Sequence, residues 1–63
     1  MTHEEAKKMG ATHYCADDEN QDHFYKYSKE SRSLMYLSGA CFIFAHNPEE
    51  SFNINHYPQL KPL

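Results

Sequence analysis

Residues 33–46 are the only long apolar run in the chain, and a turn signal divides it. Gly39 accepts the positive φ that primed hairpin turns require, so Ser38 and Gly39 are expected as a two-residue loop. That register sets Leu37 against Ala40, Tyr36 against Cys41, Met35 against Phe42 and Leu34 against Ile43. Side chains alternate along a strand. Leu34, Tyr36, Cys41 and Ile43 then share one face, and Met35, Leu37, Phe42 and Phe44 the other. An antiparallel sheet with one wet face would carry polar residues on one side. Here both faces are apolar, so each calls for a cover, from the rest of the chain or from a partner.

At 63 residues the chain is one small domain. Domains of this size are often helped by disulfides, metals or self-association. Cys15 and Cys41 are its only cysteines, no apolar export segment opens the sequence, and no stretch is long enough to span a membrane. A reducing compartment and two free thiols are the expectation. The net charge is −3, without the basic footprint of a nucleic-acid binder. Five Tyr and four Phe suit a small β-rich core or an adhesive surface.

The spacing predicts a helix over residues 2–9. Thr2 and Glu5 form a capping box, Lys7 and Lys8 lie near the C-terminus, and Gly10 fits the cap. Ala6 and Met9 give this helix its apolar edge. Residues 11–16 and 23–28 alternate as strands, separated by an acidic, solvated loop. Asn47, as an N-cap before Pro48, suggests one helical turn. The period-two pattern of Phe52, Ile54 and His56 then suggests a short strand. The fold expected is α+β: a short N-terminal helix followed by a three- to five-stranded antiparallel meander over residues 1–57. Residues 58–63, with two prolines, form an extended tail.

The stretch Gly10-Ala11-Thr12-His13-Tyr14, a polar gap, then Phe24-Tyr25-Lys26 and an aromatic hairpin resembles a small β module of tailed-bacteriophage proteins. Glu4 to Met9 are similar to the short helix that often leads into it. The module's later strands usually carry Trp, where this chain has Phe42 and Phe44. The resemblance covers roughly residues 2–46. It implies a phage origin, hence a host bacterial cytoplasm, and a meander fold. It carries no catalytic residue and no cofactor.

His13, Cys15, Cys41 and His46 compose a Cys2His2 set that would suit tetrahedral zinc, but no pair has the compact spacing of structural sites. Cys41 as a small core residue and His13 as a structural hydrogen-bonding group are the simpler reading. Cys15 beside His13 or His56 lacks a nucleophile elbow or a cleft, so no enzyme is expected. Tyr25 and Tyr27 beside Lys26 could stack single-stranded bases, but the neighbouring acids oppose phosphate. What remains is a protein-binding surface. The residues expected to form it are Tyr25, Tyr27, Tyr36 and Phe44, with Asp17, Asp18 and Asp22 setting charge preference. The function expected is a small phage accessory protein that binds and modulates, chiefly inhibits, a host or phage protein. A zinc-stabilised module, a single-strand binder and a minor virion component are the alternatives. A homodimer through an edge strand is compatible with the first.

Overall fold

The computed structural model describes residues 1–16, 22–47 and 49–63. It has one short helix and a five-stranded antiparallel sheet, so the class is α+β with the sheet dominant. The elements are α1 (His3–Met9), β1 (His13–Ala16), β2 (Asp22–Ser28), β3 (Ser33–Ser38), β4 (Cys41–Phe44) and β5 (Lys61–Pro62).

Helix α1 begins as its residues require. The Glu5 N–H donates to Thr2 Oγ1 at 3.1 Å, and the Thr2 N–H donates back to Glu5 Oε1 at 3.4 Å, closing the capping box. Gly10 ends the helix at φ 111°, a conformation in which a Cβ would be strained, and its N–H donates to Lys7 O. Two turns do not stand alone in water, so the helix depends on what it buries. Of its expected apolar edge, Ala6 is wholly buried while Met9 remains exposed. His3 completes the docking instead. Its ring lies 4.5 Å from that of Tyr14 and edge-on to Phe24 at 5.6 Å, and its Nε2 meets Asp22 Oδ2 at 2.5 Å.

The strand order is β4-β3-β2-β1-β5. The first four strands meander, and the fifth returns to pair with β1, His13 opposite Pro62 and Tyr14 opposite Lys61. Proline is tolerated there because β5 is an outer strand. The Leu63 N–H donates to Thr12 O at 3.0 Å and extends this contact past the strand.

The hairpin register differs from the expected one. Met35 faces Phe44, Tyr36 faces Ile43, Leu37 faces Phe42 and Ser38 faces Cys41, so the loop residues are Gly39 and Ala40. Placing Ser38 and Gly39 in a type I′ loop would force Ser38 to positive φ, which a side chain resists. With Gly39 first, at φ 62°, the loop meets the demand of a type II′ turn and no other residue is strained. The partners shift by two residues, which preserves parity. Each side chain therefore stays on the face expected of it.

Each face is covered in part by the chain itself. On one, Phe24, Ala6 and Ala11 form the buried centre, with Tyr14, Leu37, Phe42 and Leu63 packed around it. On the other, His13, Tyr25, Tyr36 and Ile43 stand opposite one another in a row across four strands, beside the pair Tyr27 and Leu34. Phe52, buried, plugs this second face. Its ring stacks on Tyr57 at 4.7 Å and meets His46 at 5.4 Å and Tyr27 at 6.1 Å. Its N–H donates to Arg32 O at 2.8 Å.

The strand expected near residues 51–57 is not formed. Ile54–His56 make a single 3-10 turn, and residues 51–53 take no regular structure. Asn53 Oδ1 accepts from the Asn55 N–H at 3.0 Å, so a local side-chain bond displaces the ladder. Ahead of it, the Asn47 side chain accepts from the Glu49 N–H and the Asn47 carbonyl from the Glu50 N–H.

Candidate functional site

β1 is flanked on both sides, whereas β4 has a neighbour only in β3. The Ala45 N–H donates to Leu34 O, which turns the backbone groups of Ala45, Ile43 and Cys41 toward β3. By the same alternation, the N–H and C=O of Phe42 and Phe44 point outward. Natural edge strands are usually blunted by lysine, proline or a bulge. β4 reads Cys41, Phe42, Ile43, Phe44 and has none of these.

The largest exposed apolar side chains of the sheet gather at this edge. Phe44 is 49% exposed, Ile43 42% and Tyr36 38%. Tyr36 and Ile43 stand opposite each other on the face that Phe52 plugs, and Phe44 stands on the helix face. The helix-face cluster reaches β4 at Phe42, over whose ring Lys26 Nζ lies at 5.8 Å, but Ile43 and Phe44 stay open. The helix and Leu63 gather around Phe24, and Phe52 sits over Tyr27 and beside His46.

The expected contact residues divide accordingly. Tyr36, on β3 across from Ile43, and Phe44, on the other face of β4, are both accessible. Tyr25 and Tyr27 are half-buried instead, Tyr27 between the His13 and Phe52 rings. Burial pushes the Tyr25 phenol above its ordinary range, and the nearby Cys15 thiol adds to this. Asp22 is engaged by His3 within the fold. Asp17 and Asp18 lie outside the described residues. Ile43 is the residue that sequence reasoning left off its contact list, although its place on the Tyr36 face was already implied by strand parity.

The proposed zinc set is not assembled. Cys41 is in β4 and His13 and Cys15 are in β1, with β2 and β3 between them, about 14 Å at the usual strand spacing. Two ligands of one zinc lie within about 5 Å of each other. His46 is committed elsewhere: its Nε2 accepts the Leu34 N–H at 3.0 Å, finishing the ladder where β4 ends. Among the described residues no group of three or more His, Cys, Asp or Glu is arranged to hold a metal. Cys15 and Cys41 both carry free thiols, Cys15 half-buried and Cys41 exposed.

The residues Gly10 to Tyr14 each have a structural task. Gly10 caps the helix, Ala11 is core, and Tyr14 supports the His3 ring. Thr12 Oγ1 accepts the Tyr27 N–H at 2.8 Å and lies 2.8 Å from His13 Nδ1. His13 is partly buried, and burial lowers its pKa below the ordinary 6.5. The unfolded chain therefore takes up this proton first as pH falls, and stability rises with pH. His13's contribution is complete above pH 6.5 and is lost as pH falls through its lower folded value. Thermal melts between pH 7.5 and 5 are expected to show a falling midpoint, and His13→Gln is expected to flatten that slope. An unchanged slope in the variant would remove His13 from the account.

No family model matches the chain, and no curated protein or solved structure matches it. No helix among the described residues is long and apolar enough to cross a membrane.

Proposed function

We propose that this chain is a small bacteriophage accessory protein that attaches to a host or phage protein in the bacterial cytoplasm and modulates it, chiefly by inhibition. The observation that carries this reading is the pair Tyr36 and Ile43, exposed opposite each other on one face of the sheet beside the uncharged edge strand β4, with Phe44 exposed on that strand's other face. Exposed aromatic and aliphatic side chains that adjoin one another are the ordinary anchors of protein interfaces. The resemblance of residues 2–46 to a tailed-phage module supports the origin, and the net charge of −3 disfavours nucleic acid as the target.

Capture from bacterial lysate tests it. The wild-type protein is expected to retain a specific host or phage protein, and the double variant Tyr36→Ala, Phe44→Ala is expected to lose it while staying folded. Retention of nucleic acid through a moderate-salt wash, with no protein captured, would overturn the reading.

A further inference from the structure

The outer side of β4 is self-complementary, and we infer that it pairs with β4 of a second copy about a two-fold axis through Ile43. The outward backbone groups belong to Phe42 and Phe44, two residues apart. An antiparallel pairing that sets Phe42 of one copy against Phe44 of the other satisfies the outward groups of both copies at once. Ile43 then meets its own counterpart at the axis, in a non-hydrogen-bonded position where opposed side chains approach closest. On the opposite face Phe42 lies across from Phe44, aromatic against aromatic. No other register joins both outward residues of each copy to each other.

Charge selects the occupant. Self-pairing brings identical residues together, so any charge at the axis would repel itself. β4 carries none, in a chain where charged residues make up 24%. The β5 edge, by contrast, offers Lys61 and Pro62, both of which oppose pairing. One edge is guarded and the other is open, so association stops at two copies rather than continuing as a fibre.

Pairing through β4 joins two five-stranded sheets into one. It sets Tyr36 and Ile43 of each copy in a single row across the seam, doubling the continuous apolar surface. The row is available to the protein target proposed above, but the self-pairing does not depend on that target. Only Phe42, Ile43 and Phe44 of each copy pair within this short strand, so the association is weak and concentration-dependent.

Sedimentation equilibrium of the purified protein, from low micromolar to millimolar concentration, is expected to show a reversible shift from the 7.4 kDa chain to twice that mass. Ile43→Lys and Ile43→Glu, each placing like charges at the axis, are each expected to weaken association about tenfold or more. Mixing the two variants is expected to restore it as a heterodimer. Phe44→Pro removes an outward N–H that β3 does not use, and is expected to abolish association without loss of the sheet. A monomer at every concentration would overturn the inference. So would self-association that both Ile43 variants leave unchanged, or a mixture that fails to pair. Because only this chain is present, failure here leaves the binding of a separate target to be judged by the capture experiment.

Discussion

Phe24→Ala is expected to leave the protein largely unfolded at 25 °C. Phe24 is 5% exposed and central to the helix-covered face, with Ala6 and Ala11 against it and the His3 ring at its edge. Truncating a buried Phe to Ala costs about 3–5 kcal/mol, as lost transfer energy plus the cavity left behind. A domain of this length has about 3–9 kcal/mol in total, by the usual stability per residue. Removal of the ring also takes away the surface on which α1 docks, and a two-turn helix does not persist without one. Far-ultraviolet circular dichroism should therefore lose helix and sheet together. A variant that melts cooperatively within a few degrees of wild type would mean that the core lies elsewhere.

Phe52→Ala is expected to act on the opposite face and to act differently. Phe52 anchors its segment to the sheet through its ring contact with Tyr27 and its N–H on Arg32 O, and gathers His46 and Tyr57 of the same segment around its ring. It belongs to no strand, so its loss, about 3 kcal/mol for a buried aromatic, releases that segment before it unfolds the sheet. The Phe52 amide should exchange about a hundredfold faster, as such a loss implies for a locally opening unit. Binding of a hydrophobic dye should rise as Tyr27 and Leu34 are uncovered. Amides of β2 that pair with β1 should keep their protection. Global loss of protection at every site would show instead that the second face is part of one cooperative core.

The capping residues of α1, the alternating strands and the two apolar faces of the hairpin were readable because each rests on local geometry. Thr2, Glu5 and Gly10 state a helix and its ends within nine residues. The hairpin loop was placed one residue early at each strand, because the turn type depends on which loop position holds glycine. The face assignment survived because the error was even. Less readable was anything decided by contacts between distant segments. His3 docking on Tyr14 and Phe24 has no local signature, since a histidine near a helix start has many partners to choose from. The pattern of Phe52, Ile54 and His56 suggested a strand, but Phe52 serves as a plug and Asn53 bonds its own neighbour. For the candidate site, Tyr36 and Phe44 were named from hydrophobicity alone. What separates Tyr36 from Tyr27 is where Phe52 comes to rest, and Phe44 is left open by its place on the outermost strand; spacing along the chain encodes neither.

The pairing of His13 with Pro62 and of Tyr14 with Lys61 joins positions about fifty residues apart. The hairpins of the meander close short loops, and such closures are fast, whereas a long loop must give up more entropy before its first contact is made. On loop-closure grounds the middle strands are expected to pair first and β5 to seat last. It is also short and exposed, so it is the first to leave when conditions weaken. Seating β5 gives β1 its outer neighbour, and so ordering the chain's final residues is the event that closes this side of the sheet against further strands.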